Sequence, residues 1–150
     1  MDDQLRFAAD LYHGAAGYYD RYRLPYPEAM LADLVQRAQV SGRGRLVDLA
    51  CGTGQLAFPL RQWFSGVWAV DRESDMVEVV RAKAAAAGAG EVRPIVSDAE
   101  TLDAEPEHFE LAVIGNASLR DALAALSWTG NVTGPPRGGR QGGAGCRATG

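Results

Sequence analysis

Leu46-Val47-Asp48-Leu49-Ala50-Cys51-Gly52-Thr53-Gly54-Gln55-Leu56-Ala57 is the stretch whose reading decides the fold. Its first part belongs to a short, mostly apolar run, Arg45 to Ala50, of the length and character of a buried strand. The run ends at once in a turn holding Gly52 and Gly54, and a helix is expected from Gln55 to Phe64, with Pro59 near its start. Glycines lack a Cβ, so the backbone there can turn tightly and lie against a ligand. The helix behind such a turn offers free N–H groups and the positive end of its dipole. Alone the fragment is ambiguous, because Gly52 to Ala57 also fits the dinucleotide pattern G-x-G-x-x-A.

Outward from this stretch, strand and helix patterns alternate. Val67 to Val70 predicts a second strand ended by Asp71, and Asp75 to Ala87 a helix with Ser74 as its N-cap and Gly88 as its stop. Val92 to Val96 and Phe109 to Ile114 predict a third and a fourth strand, with a further helix through Asp121 to Leu126. Upstream, Leu5, Ala8, Leu11 and Tyr12 recur at helical spacing, and aromatic and turn residues follow from Gly17 to Pro27. A helix from Glu28 to Val40 is expected next, with Pro27 suited to its first turn and Ser41-Gly42 able to end it. Strands separated by helical stretches predict βαβ units, hence an α/β, Rossmann-like parallel sheet with helices on both faces. Ligands of such sheets sit beyond the carboxyl ends of the strands.

Those ends carry acids. Asp71 ends the second strand 19 positions after Gly52, where a carboxylate can accept from both hydroxyls of a ribose. Asp98, just past the third strand in Ser97-Asp98-Ala99-Glu100, can accept from an exocyclic amine. Asp48 lies inside the end of the first strand, a position that is normally apolar where a pyrophosphate is bound. A carboxylate there suits a ligand with cationic groups and favours a sulfonium amino acid.

With these motifs in order, the chain resembles the class I S-adenosylmethionine-dependent methyltransferases, in their small-molecule branch. LVDLACGTGQLA is similar to the family's first motif, VWAVDRESDMVEVVRAKA to its second, IVSDAETL to the adenine-side motif and FELAVIGNAS to the fourth strand and its loop. RYRLPYPEAMLADLV resembles the approach to the first strand, so the likeness covers about residues 17–118. It implies S-adenosyl-L-methionine as cofactor and the strand order 3-2-1-4. It assigns Asp48, Ala50, Gly52 and Gly54 to the methionine moiety and the turn, and Asp71 and Arg72 to the ribose, with Met76 following. Asp98, Ala99 and Glu100 flank the adenine, and Asn116 and Ala117 the methyl group. Ala50 stands where the family's first glycine is usual, and Glu110 where Asp is common. The family's sheet has about seven strands, whereas the pattern here yields about four, so an incomplete fold is expected. The exposed edge of its fourth strand would then be a surface for self-association.

Composition bounds the rest. In 150 residues, 47% are hydrophobic and 23% charged, which is globular, and a net charge of −4 predicts no nucleic-acid partner. No apolar run approaches a membrane span and the acidic start is unlike a signal peptide, so a cytoplasmic protein is expected. From Gly130 to Gly150 there are eight glycines and hardly any large apolar side chain, which predicts a disordered tail after a domain of residues 1–129. Cys51 and Cys146 form no metal or disulfide framework, and no metal site is expected. His13 and His108 read as surface or helix residues, and Cys51 as a packed one. Tyr18, Tyr19, Tyr22 and Tyr26 could line a lid or pack over the sheet edge. The catalytic residue stays open, since a sulfonium methyl group needs alignment and desolvation more than a base. The expected reaction is methyl transfer to a small-molecule acceptor. A cofactor-binding fragment without catalysis and a nicotinamide-dependent dehydrogenase are the alternatives.

Overall fold

The computed structural model describes residues 15–105 and 108–115. The expected helical runs at Leu5–Tyr12 and Asp121–Leu126, the pair Asn116 and Ala117, and the segment from Gly130 onward lie outside the described residues.

Four strands form one parallel sheet. They are β1 (Arg45–Leu49), β2 (Gly66–Asp71), β3 (Val92–Val96) and β4 (Leu111–Ile114), in the order β3-β2-β1-β4. This is the expected order, and it places β1 and β2 in the middle. In register, Asp48 lies opposite Ala69 on one side and Val113 on the other, and Asp71 lies opposite Val96.

Period-two alternation divides the core between the two faces of the sheet. Leu46, Val67, Ala69, Val92 and Val113 join one cluster with Leu31, Ala57, Leu60 and Val80 from the helices. Val47, Leu49, Val70 and Phe109 join the other, against which Trp68, Ile95, Ala99, Leu102 and Ile114 pack. Leu46, Val47 and Leu49 are fully buried, as expected of a central parallel strand covered on both faces. Asp48 and Asp71 fall in the alternation of the first face, the side that carries the helices. Each fully buried aliphatic side chain there contributes about 1.5–3 kcal/mol.

The helices are α1 (Ala16–Tyr22), α2 (Glu28–Arg37), α3 (Ala57–Leu60) and α4 (Ser74–Ala87). Several boundaries differ from the expected ones for identifiable reasons. Residues expected to form only turns and aromatic loop make α1, which is too short to be stable alone. Its Asp20 is anchored by Lys83 Nζ of α4 at 2.8 Å. Pro27 precedes α2 rather than entering it, its carbonyl accepting from the N–H groups of Met30 and Leu31. The helix closes at Arg37, because Gln39 takes a left-handed φ of 52° before Ser41-Gly42 is reached.

The helix expected over 55–64 is a single α turn, α3, followed by a 3-10 turn at Arg61–Trp63. The glycine turn itself takes up residues 52–56. Ser74 is the first helical residue of α4 and not its cap, with extended Glu73 preceding it without a side-chain cap bond. Asp71 Oδ1 accepts the Glu73 N–H at 2.9 Å and sets that bend instead. At the other end Gly88 closes α4 in the left-handed conformation, as expected. Paired β4 starts at Leu111, two residues later than expected. Just before it, Glu110 accepts the Ser41 N–H through Oε1 at 2.6 Å.

Candidate functional site

The turn after β1 is fastened from below by two carboxylates. Asp48, 1% exposed, accepts the Ala57 N–H through Oδ2 at 3.0 Å and so holds the start of α3. Asp71 accepts the Gly52 N–H through Oδ2 at 2.8 Å and the Glu73 N–H through Oδ1 at 2.9 Å. It therefore ties the end of β2 both to the glycine turn and to the start of α4. The turn is closed further by Cys51 N–H to the Val70 carbonyl (2.9 Å) and Gly54 N–H to the Cys51 carbonyl (3.0 Å).

Backbone conformation explains which residues stand in the turn. Gly54 has φ +86°, and a Cβ there would lie 2.6 Å from the Phe58 ring. Gly52 has φ +55° and nothing within 4 Å of where a Cβ would point. Glycine at 52 thus leaves open space beside the turn, whereas glycine at 54 lets Phe58 pack against it. Ala50, in place of the glycine usual in the resembled family, has φ +54°. A left-handed alanine costs roughly 1–2 kcal/mol, which the surrounding bonds offset.

Electrostatics single out Asp48. Burial pushes its carboxyl up to about 8, and the nearby Asp71 charge adds to this. The Ala57 N–H and the Arg23 guanidinium oppose the shift. Burial also pushes the Cys51 thiol up, with the two carboxylates adding to it, so Cys51 is a packed residue rather than a nucleophile. Asp48 lines a narrow cleft together with Arg23, Tyr26, Ala50, Gln55 and Gly115. Among the described residues, two roomier cavities lie elsewhere. One of about 320 Å³ is lined by Arg45, Ser65 and Glu110, at the amino ends of the strands, and one of about 410 Å³ lies between the end of α4 and β3. Neither faces the glycine turn, so chemistry and not size identifies the site.

The sequence-predicted residues divide into two groups. Asp48, Ala50, Gly52, Gly54 and Asp71 meet around one turn. Arg72, half-exposed, reaches Glu73 at 3.4 Å, and Met76 is buried with Val77 and Val80 in α4. Asp98 and Glu100 are exposed in the loop after β3, while Ala99 packs partly against the second core cluster. The Ser97 N–H bond to the Asp71 carbonyl (3.0 Å) carries that loop past β2. Asn116 and Ala117 lie outside the described residues. Tyr26 lines the cleft, whereas Tyr18 and Tyr22 stack on each other at 4.4 Å between centroids and remain exposed.

Three residues of this region escaped the sequence reading. Arg23 stands beside Asp48 in the cleft. Lys83 Nζ donates to the Thr53 carbonyl at 2.9 Å as well as to Asp20, so α4 holds both the turn and α1. The Thr53 side chain is fully buried, and its hydroxyl has no partner among the described residues. Arg23 could have been noticed from its place before the Leu24-Pro25-Tyr26-Pro27 bend. Nothing local marks Lys83 or Thr53.

A parallel sheet of order 3-2-1-4 with a glycine turn after β1 and acids closing β1 and β2 is the arrangement of class I methyltransferases. Comparison with known proteins agrees. The sequence model of the methyltransferase domain matches residues 46–131, more than half of the chain, and the chain belongs to that family. It is 36% identical over 106 residues to trans-aconitate 2-methyltransferase of Mycobacterium sp. (strain KMS), covering 64% of this chain and 40% of that protein. It is 39% identical over 93 residues to ribosomal RNA small subunit methyltransferase G of Deinococcus deserti, covering 59% and 38%. The chain thus spans about two-fifths of the length of the curated relatives it matches.

Among solved structures, an S-adenosylmethionine-dependent methyltransferase from Clostridium acetobutylicum superposes with a TM-score of 0.53 at 25% identity, covering 69% of this chain and 43% of that one. The YcgJ protein from Bacillus subtilis superposes with a TM-score of 0.61 at 21% identity, covering 71% and 47%, and shows the shared fold. S-adenosylmethionine is the cofactor of this family. No helix among the described residues is long and apolar enough to cross a membrane. No group of His, Cys, Asp and Glu among them could hold a metal ion.

Proposed function

We propose that this chain binds S-adenosylmethionine at the glycine turn and serves methyl transfer to a small-molecule acceptor, within a domain of residues 1–129. The observation that carries the reading is the pair of buried acids, Asp48 and Asp71, closing adjacent parallel strands around one turn. Asp71 uses one N–H on each oxygen, and a carboxylate offers about four acceptor sites, so capacity remains for two ribose hydroxyls. Asp48 and Arg23 set an acidic and a basic side chain side by side on a cleft of about 10 Å³, room for about one water, which would have to open for the ammonium and carboxylate of an amino-acid moiety that this pair suits. The open space over Gly52 admits a ligand against the backbone.

The cofactor supplies an electrophilic methyl group on a cationic sulfur. The chain's part is to align that group and keep water from it, with Tyr26 and Leu56 closing the cleft. The resemblance gives Asp98 and Glu100, exposed in the loop after β3, to the adenine, and Asn116 and Ala117, next in sequence after β4, to the methyl group. One relative is named for a small acid and another for ribosomal RNA, so the names do not choose an acceptor class. The net charge of −4 supports the small molecule over a polyanion. Calorimetric titration tests the cofactor: S-adenosylmethionine and S-adenosylhomocysteine should each bind more tightly than NAD. NAD binding with no response to either adenosyl ligand would return the chain to the dehydrogenase alternative.

A further inference from the structure

Asp48 and Asp71 stand behind the same turn but are provided for unequally. Asp71 receives two backbone N–H bonds, one on each oxygen, and keeps 9% of its surface exposed. Among the described residues Asp48 receives one, from Ala57, and is 1% exposed. Among the described residues the charged groups around it are few. β2 contributes Asp71, the segment after α1 contributes Arg23, and the turn contributes Cys51. β4 brings only Leu111, Ala112, Val113 and Ile114, and α3 only apolar residues. Lys83 of α4 is committed to Asp20 and the Thr53 carbonyl.

We infer that Asp48 is the proton-linked group of the cleft, carrying a proton while the cleft is empty and releasing it when a cationic ligand settles beside it. The inference rests on the proposed cofactor site and adds its regulation. A buried carboxyl with one donor and a like charge beside it favours its neutral form, in keeping with a value of about 8. An ammonium, joined in S-adenosylmethionine by a sulfonium, adds positive charge to that of Arg23 when it arrives in the cleft, so the O–H bond of Asp48 breaks and its proton passes to buffer. Binding therefore tightens as pH rises, by about tenfold per pH unit until Asp48 ionises without help, and levels off beyond. The ligand's own α-amine, with an ordinary value near 7.7–8.0, would take a proton up and so has the opposite sign.

The test is calorimetry of S-adenosylmethionine and S-adenosylhomocysteine binding to the full chain at pH 7, in buffers of different ionisation enthalpy. Release of about one proton per ligand is expected, falling away above about pH 9. Saturable binding whose heat does not depend on the buffer overturns the proton linkage and leaves the cofactor site standing. No binding of either ligand overturns both. In Asp48→Asn the release should vanish while binding, though weaker, persists; release that survives overturns the assignment to Asp48. Should that variant not fold, the ¹³C shift of the Asp48 carboxyl in the unaltered chain decides. It should report a protonated carboxyl without ligand and a carboxylate with it at pH 7, and an ionised signal in both states contradicts the inference.

Discussion

Two loops leave the same edge of the sheet and are built on opposite principles. The turn after β1 is rigid by construction: Asp71 holds the Gly52 N–H, Asp48 holds the start of α3 behind it, Gly54 makes room for Phe58, and Lys83 grips the Thr53 carbonyl. The loop after β3 keeps Asp98 and Glu100 in solvent, with Thr101 N–H to the Asp98 carbonyl (3.3 Å) as a local tie. The first loop therefore couples ligand geometry to fold stability. The second can change its side chains at little structural cost. A site assembled this way fixes one end of its ligand by burial and reads the other end at the surface.

The largest expected effect is in the rigid turn. Gly54→Ala forces a left-handed alanine against the Phe58 ring, and strain plus overpacking should cost about 2–5 kcal/mol, read from the urea midpoint. A loss under about 1 kcal/mol would show that the turn relaxes freely and would erase the contrast. Asp71→Ala comes next, because it releases two N–H groups at once. Stability should fall by about 2–4 kcal/mol and adenosyl-ligand affinity by roughly tenfold to a hundredfold. Unchanged affinity in a folded variant would confine Asp71 to holding the backbone.

Asp48 gives a pH signature. Its folded value, about 8, lies above the 3.8 of an ordinary aspartate. Its stabilising contribution is thus fully present below about pH 4 and lost as pH rises towards 8, since the unfolded chain gives up the proton first. Asp48→Asn should flatten this part of the stability–pH curve of the empty protein, as thermal melts from pH 5 to 9 would record. An identical slope in the variant would locate the titrating group elsewhere. Ala50→Gly removes left-handed strain but adds chain entropy, for a net gain of about 0.5–1 kcal/mol. The smallest effect belongs to the open loop. Asp98→Asn should leave stability within about 0.5 kcal/mol while weakening the adenosyl ligand measurably. A marked loss of stability would mean that this loop is built like the first.

Much of the fold was legible because the signals were local. The four strands, their order and the stop of α4 at Gly88 follow from apolar runs, a glycine and a familiar arrangement of motifs. The misread boundaries arise where distant groups decide. α1 is held by Lys83, which is 63 residues from Asp20 in sequence, and Asp71 takes over the bend expected of Ser74. Within the site, Asp48, Gly52, Gly54 and Asp71 were legible from spacing. Asp48 could be read as a strand-end acid capping the next turn, but the duty of Asp71 in fastening the Gly52 and Glu73 N–H groups was not legible, because sequence shows that a carboxylate is present and not which donors fold towards it. Arg23 joins the cleft only once α1 and α2 fold back over the glycine turn.

The most direct test of where the ligand sits is the amide spectrum of the ¹⁵N-labelled chain titrated with S-adenosylhomocysteine. Shifts should concentrate on Ala50 to Gln55, on Asp71 to Glu73 and on Ser97 to Glu100. Ser41 to Arg45, beside the cavity of about 320 Å³ at the other end of the strands, should stay still. Shifts gathered at Ser41 to Arg45, with the glycine turn unmoved, would contradict the placement of the site.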